Sequence, residues 1–144
     1  MTFTTSRVIP AEARDVFAAF ADGHRLAAWW GPLGFTNTFE EFEFSAGGRW
    51  LFVMHGPDGK NYPNESRFLH IEELTKVVVE HLSQPKFELV VTLEPSGAVG
   101  TKVTWAQTFE DPETARRVES IVVPSNEQNL DRWTAEVLRL TPSV

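Results

Sequence analysis

Two hydrophobic periodicities along the 144-residue chain predict its secondary structure. Segments in which polar and apolar residues alternate one by one are typical of half-buried strands. Such segments lie at 2–9, 34–44, 49–55, 62–72, 76–82, 86–94 and 101–109. Apolar residues spaced three or four apart predict two short helices between the first two strands and a long helix from Asp111 to about residue 140.

Proline and glycine residues mark where the predicted helices begin and end. Pro10 precedes the first helix, and the Gly-Pro pair at 31–32 stops the second. The Asp-Pro-Glu sequence at 111–113 combines a capping residue, a proline at the first helical position and an acid in the first turn. We expect Pro124 to interrupt the long helix and Ser125 to cap its restart.

The order of these elements predicts an α+β fold. An antiparallel meander with one apolar face needs a cover, and the C-terminal helix is the only long amphipathic element available. A twisted sheet of about seven strands curls when it wraps around one helix. We therefore expect a single domain over residues 1–144, in which a curved antiparallel sheet surrounds the C-terminal helix and the two short helices close one end of the groove.

Charge and composition narrow the possible partners. The formal net charge of −7 repels phosphate backbones, so nucleic-acid binding is disfavoured. No uncharged apolar stretch is long enough to span a membrane. The absence of cysteine and of a signal-peptide pattern favours a cytoplasmic location. The eleven Phe, five Trp and one Tyr residues either fill a core or line a cavity wall.

Two segments resemble a known family: AAWWGPLGFTNTFEEFEFSAGGRWLFVMHGPDGKNYPNES at 27–66 and NEQNLDRW at 126–133. With their WWGP, GGRW and GPDG motifs they are similar to the activator of heat-shock protein 90 ATPase homologue family, within the SRPBCC (START-like, helix-grip) superfamily. The resemblance extends from residue 2 to about 140. It implies a helix-grip fold with a deep hydrophobic cavity, in which relatives bind lipids, polyketides or other apolar molecules and a minority catalyse cyclisation or similar steps.

The expected cavity wall follows from the alternation of residues on the strands and from one stripe of each helix. The apolar and amide candidates for ligand binding on this wall are Phe17, Trp30, Phe39, Trp50, Phe52, Met54, Leu89, Val91, Trp105, Gln107, Phe109, Asn126, Leu130 and Trp133. Adjacent helical residues point about 100° apart. We therefore expect only one of Trp29 and Trp30 to enter the cavity, while the other packs on a neighbouring loop or a partner chain.

Strand pairing is expected to place two charged candidates on the same wall. If the Gly-Pro-Asp-Gly turn sets the hairpin, Glu65 lies near Phe52, and Arg67 lies near Trp50 and opposite Glu80. Charges on a concave apolar face must be paired or must meet a ligand or water. Either they form a structural ion pair at the cavity rim, or Glu65 or Arg67 anchors the polar head of a ligand. A catalytic acid–base role for Glu65 or Arg67 would need a second catalytic group at a defined spacing, and the sequence shows none.

Amides and histidines complete the candidate chemistry. Gln107, Asn126 and Asn129 can orient a ligand, or they can satisfy backbone groups near the proline in the long helix. The three strand histidines, His55, His70 and His81, are expected to lie about 10 Å or more apart. We interpret them as ordinary surface or edge residues, and we predict no metal site and no cofactor.

Three functions are compatible with the sequence. The leading hypothesis is binding of a small apolar or amphiphilic molecule in the cavity. An enzyme of the cyclase, hydrolase or isomerase type would use Glu65, Arg67, Tyr62 or Gln107 and would need a polar cluster deep in the cavity. A co-chaperone-like module, or one that forms a two-fold homodimer, would expose a large apolar patch.

Overall fold

The computed structural model describes residues 1–140. In chain order its elements are β1 (Thr2–Ile9), α1 (Ala13–Ala21), α2 (Gly23–Trp29), β2 (Thr36–Phe42), β3 (Arg49–His55), β4 (Asn61–Glu72), β5 (Lys76–His81), β6 (Phe87–Ser96), β7 (Gly100–Phe109) and α3 (Pro112–Leu140). The predicted α+β class, the two short helices after β1 and the long C-terminal helix are confirmed. The last four residues of the domain expected over 1–144 lie outside the described residues.

The strands of the described chain form one antiparallel sheet in the order β1-β7-β6-β5-β4-β3-β2. The first and last strands along the chain pair with each other, because the connection through α1 and α2 carries the chain to the opposite edge. The sheet curves as it twists, and α3 contacts β1 and β7 and also packs on α1 and α2. Every second residue of β7, from Thr101 to Phe109, is buried on the concave face.

Aromatic side chains fill the end of the groove beside α1 and α2. Trp29 stacks on Trp133 of α3, with ring centroids 4.9 Å apart and planes inclined by only 2°. The indole N–H of Trp29 donates to the carbonyl oxygen of Ala19 (2.9 Å), and the indole N–H of Trp133 donates to the carbonyl oxygen of Val16 (3.1 Å). Because the two carbonyls belong to α1, this cluster joins all three helices and packs this end of the core.

The C-terminal helix is continuous, so the expected interruption at Pro124 is wrong. Proline lacks the N–H that would bond to the carbonyl oxygen of Ser120, one turn earlier. Both Ser120 and Pro124 are exposed, so water can satisfy that carbonyl and the helix continues. Ser125 therefore lies inside the helix and does not cap a second one.

The pairing of β3 with β4 differs by one residue from the expected register. A hydrogen bond from the Gly56 N–H to the Lys60 carbonyl oxygen (2.9 Å) closes the connecting loop. The loop is shorter than expected by one residue, and Phe52 pairs with Asn64 instead of lying near Glu65. Because side chains alternate between the two faces of a strand, this shift exchanges the inward and outward residues of β4.

Glu65 and Arg67 consequently lie exposed on the convex face, and their expected place on the concave wall is wrong. Arg67 does pair with Glu80 (2.8 Å), as the expected β4–β5 register requires. The carboxylate of Glu65 lies 3.8 Å from Arg49. Such exposed ion pairs contribute about 0–1 kcal/mol to stability, since solvent screens them.

Candidate functional site

A cavity of about 460 Å³ lies between the concave face of the sheet and the middle of α3. Its wall is built by β3, β4, the end of β5, β6, β7, the β5–β6 connection and the segment between α2 and β2. The largest apolar side chains of this wall are Trp30, Phe35, Phe52, Phe87, Leu89 and Trp105. Small-molecule sites typically enclose about 300–1,000 Å³ and are lined mainly by such side chains.

One wall of the cavity is the cavity loop, which we define as residues 30–35. Its backbone is bound to side chains of α3. The Gly31 N–H donates to Asn129 Oδ1 (2.8 Å), and the Leu33 N–H donates to Gln128 Oε1 (3.0 Å). These bonds fix the separation between the loop and the helix, and this separation sets the width of the cavity.

Arg132 of α3 anchors the cavity loop by its guanidinium group. Its two terminal nitrogens donate to five backbone carbonyl oxygens at 2.8–3.3 Å, those of Ala28, Trp30, Gly31, Pro32 and Phe35. Burial lowers the pKa of Arg132, although an arginine still remains protonated. Carbonyl dipoles, including those at the C-terminal end of α2, meet its charge.

The tandem tryptophans divide between the core and the cavity. Trp30 lines the cavity, in agreement with the expectation for one of the pair. Trp29 lies in the core, not on a loop or partner chain as expected. Directly after them, Gly31 adopts a φ of +98°, and a Cβ at this position would lie 2.8 Å from Met54 Cε. The positive φ is what favours glycine here, because the flexible end of the Met54 side chain could move to relieve the contact.

The amide candidates form two different sets of contacts. Asn126 Nδ2 donates to Gln107 Oε1 (3.1 Å), and these two residues are only 6% and 8% exposed. Asn129 Oδ1 accepts a hydrogen bond from the Gly31 N–H, and Asn129 Nδ2 donates one to the carbonyl oxygen of Ser125 (3.2 Å). Asn129 thus satisfies backbone groups, whereas Gln107 and Asn126 bind each other in the cavity wall.

His81 is a buried residue of the cavity wall, so its interpretation as a surface or edge histidine is wrong. Its Nδ1 lies 2.8 Å from the Pro85 carbonyl oxygen, and its Nε2 lies 2.7 Å from Asn64 Oδ1 and 3.3 Å from Ser83 Oγ. The ring stacks on Phe87, with centroids 4.4 Å apart. Burial lowers the pKa of His81 and outweighs the hydrogen bonds with the backbone of Pro85 and Ser83, which raise it.

The cavity wall is electrically neutral near pH 7. None of the described residues that line it is an Asp, Glu, Lys or Arg. The Tyr62 hydroxyl lies 3.4 Å from Asp58, and burial and the nearby carboxylate both raise the pKa of Tyr62, so it remains a phenol. Within residues 1–140, no group of three or more His, Asp or Glu side chains is arranged to hold a metal ion.

The predicted wall residues fall into three groups. Those that line the cavity are Trp30, Phe52, Met54, Leu89, Trp105, Gln107 and Asn126. Those that pack in the core around it are Phe17, Phe39, Trp50, Val91, Leu130 and Trp133. Phe109 is buried against Phe3 and Phe87, outside the lining, while Glu65 and Arg67 are on the convex face. Alternation distinguishes the faces of a strand, but it does not tell which concave residues the short helices cover.

Other cavity residues were missed by the sequence analysis. They are Phe35 of the cavity loop, Asn61, Pro63 and Asn64 of β4, His81 of β5, Gln84 and Pro85 of the β5–β6 connection, Phe87 of β6, and Ile121, Val122 and Ser125 of α3. A signal for the α3 group was present, because three apolar residues in succession, Ile121 to Val123, cannot all lie on the core stripe of one helix. Asn64 was missed because of the register error.

Among the described residues 1–140, none of the helices is long and apolar enough to cross a membrane.

A family model for "Activator of Hsp90 ATPase homolog 1-like protein" matches residues 10–137 of the chain. This match extends from the end of β1 to the last turn of α3 and includes every element that builds the cavity. No curated protein matches the sequence.

Solved structures share the fold at low sequence identity. A protein of Arthrobacter aurescens is 23% identical, with a TM-score of 0.87 over 99% of this chain and 89% of its own. A protein of Nitrosomonas europaea is 16% identical, with a TM-score of 0.88 over 96% of this chain and 95% of its own. The AHSA1 protein of Silicibacter pomeroyi is 20% identical, with a TM-score of 0.78 over 98% of this chain and all of its own. At these identities the likeness concerns the fold alone.

We predict that Arg132→Met lowers the free energy of unfolding by at least about 2 kcal/mol, because five backbone carbonyls lose a charged donor together. The stability of Arg132→Lys should lie between that of the wild type and that of Arg132→Met, because a single ammonium group cannot reach all five carbonyl oxygens. Denaturant unfolding measures both. Arg117→Met removes an exposed arginine of the same helix and should change stability by no more than about 0.5 kcal/mol. Equal stability of the two methionine variants would contradict the role given to Arg132.

A second prediction concerns pH. The pKa of His81 lies below its ordinary value of 6.5 in the folded protein, so the unfolded chain binds more protons as the pH falls through that value. The contribution of His81 to stability is therefore complete above pH 7 and is lost as the pH falls below about 6.5. Unfolding curves between pH 8 and 5.5 should show a steeper loss for the wild type than for His81→Gln.

The matched control for this experiment is His24→Gln, because His24 is exposed. This variant should follow the wild-type pH dependence. The account of His81 is wrong if His81→Gln loses as much stability as the wild type over the same range.

Proposed function

The chain belongs to the Activator of Hsp90 ATPase homolog 1-like family, and from that premise we propose that it binds a small, largely apolar molecule in the cavity between the sheet and α3. The observation that carries the proposal is an apolar cavity of about 460 Å³ inside a chain of this size. A ligand there would contact both walls at once, the strands on one side and the helix on the other.

The way the cavity is kept open supports this proposal. A cavity without function tends to be filled, since empty space forfeits packing interactions. Here the bonds from Asn129, Gln128 and Arg132 fix the cavity loop to α3 by contacts with its backbone. The side chains of the loop and the strands are therefore free to contact a ligand.

The enzyme hypothesis has less support from the positions of its candidate residues. Glu65 and Arg67 are exposed on the convex face and engage Arg49 and Glu80, so neither reaches a molecule in the cavity. Tyr62 and Gln107 do line the cavity. Within residues 1–140, the side chain of Gln107 bonds only to Asn126, and the one carboxylate beside Tyr62 is Asp58, which lies outside the cavity lining. Burial and this carboxylate raise the pKa of the phenol, the opposite of what a proton donor needs at neutral pH. Cytoplasmic location and homodimer formation stay predictions from the sequence.

Binding can be tested with N-phenyl-1-naphthylamine, an uncharged apolar dye whose fluorescence rises in apolar surroundings. Val122 lines the cavity from α3, and Val122→Trp should fill part of it. A tryptophan at this position would occupy space that the dye needs, so the dissociation constant should rise at least about tenfold, which corresponds to about 1.4 kcal/mol.

Val123→Trp is the matched control. Val123 is the next residue of the same helix, is 47% exposed and does not line the cavity. It should leave the dissociation constant unchanged. The proposed function fails if the wild type does not bind the dye, or if the two tryptophan variants bind it equally well.

A further inference from the structure

The amide pair in the cavity wall has hydrogen-bonding capacity that its own bond does not use. The bond from Asn126 Nδ2 to Gln107 Oε1 occupies one donor and one acceptor. Within the described residues, Gln107 Nε2 and Asn126 Oδ1 have no hydrogen-bond partner. A primary amide offers two donors and an acceptor, so at least one donor and one acceptor of the pair are free.

These free atoms face the cavity and are not sealed in the core. The buried side-chain atoms that lack both a partner and access to solvent are Asn37 Oδ1, Trp50 Nε1 and Trp105 Nε1. Gln107 Nε2 and Asn126 Oδ1 are not among them, although both residues are more than nine-tenths buried. They therefore border open space, and the space that both residues line is the cavity.

This conclusion does not depend on how the two amides are oriented. Nitrogen and oxygen of an amide are assigned from the hydrogen-bond network. If both amides were turned around, Gln107 would donate to Asn126, and the free atoms would be Gln107 Oε1 and Asn126 Nδ2. In either orientation the pair keeps one free donor group and one free acceptor.

The surroundings of the pair determine which charge a ligand can carry. None of the lining residues within the described range 1–140 is an Asp, Glu, Lys or Arg, and burial lowers the pKa of His81 below its ordinary value of 6.5. An ionised group placed beside the buried amides would lose part of its hydration without gaining a counter-charge, which is unfavourable. A wholly apolar ligand would leave the free donor and acceptor of the amides unpaired, which is also unfavourable.

We propose that Gln107 and Asn126 recognise an uncharged ligand head that both accepts and donates a hydrogen bond, such as a carboxamide or an alcohol, while an apolar body fills the rest of the cavity. The proposal rests on the proposed function and adds to it the chemical class of the ligand. The amide pair is a specificity-determining element of the site, and the aromatic wall supplies the apolar contact.

The test uses four probes with one shared apolar body. They are 2-naphthamide, which donates and accepts, 2-acetylnaphthalene, which only accepts, 2-ethylnaphthalene, which does neither, and the anion 2-naphthoate. Equilibrium dialysis at pH 8 gives their dissociation constants. We expect 2-naphthamide to bind about three- to tenfold more tightly than 2-acetylnaphthalene and at least about a hundredfold more tightly than 2-naphthoate.

The double variant Gln107→Met, Asn126→Leu removes both amides at similar side-chain size. It should bind 2-naphthamide at least about tenfold more weakly than the wild type and 2-ethylnaphthalene as tightly or more tightly. Binding of 2-ethylnaphthalene also shows that the cavity of the variant is intact. The probe series on the wild-type protein decides the question if the variant does not fold.

The possible outcomes separate the two proposals. If wild-type protein binds 2-ethylnaphthalene or 2-naphthoate as tightly as 2-naphthamide, the assignment of the ligand class is overturned, while the proposed function stands. If none of the four probes binds, the proposed function itself fails, and the ligand class fails with it.

Discussion

The geometry of the cavity depends on one guanidinium group. Arg132 donates to five backbone carbonyls between Ala28 and Phe35, and it does so from the turn of α3 directly beside the stacked Trp133. The tryptophan stack fixes α3 against α2, and Arg132 then fixes the loop that follows α2. Since the loop and the helix are bound through backbone atoms and polar side chains, the aromatic side chains between them need not pack into the remaining space.

Two kinds of packing result at the two ends of the groove. Beside α1 and α2, indole rings fill the core, and their N–H groups donate hydrogen bonds to carbonyl oxygens of α1. Further along α3, toward Pro124, the sheet faces the helix across the cavity, and the buried polar groups are neutral ones: an amide pair and a histidine whose pKa burial lowers. These neutral polar groups are the basis for the proposed uncharged ligand, because an ionised one would find no counter-charge among the described residues of the wall.

The sequence predicted the fold well and the site only in part. Alternation in β6 and β7 is regular, and it identified Leu89, Trp105 and Gln107 on the concave face. In β4 nearly every position is polar or exposed, so the inward residues there depend entirely on the length of the preceding turn. Because the turn was predicted one residue too long, the charged Glu65 was expected on the concave face in place of the neutral Asn64. The burial of His81 depends on the same long-range pairing, and no local pattern reveals it.

Occupation of the space between the strands and α3 by a small apolar molecule is tested most directly by an NMR titration of methyl-labelled protein with N-phenyl-1-naphthylamine, using methionine, leucine, isoleucine and valine methyl groups. If the molecule binds there, the signals of Met54, Leu89 and Ile121, which line the cavity, should shift or broaden, while those of Val8 and Val99, exposed elsewhere, should stay fixed. Perturbations at Val8 or Val99 with the cavity methyls unchanged would contradict binding in this space.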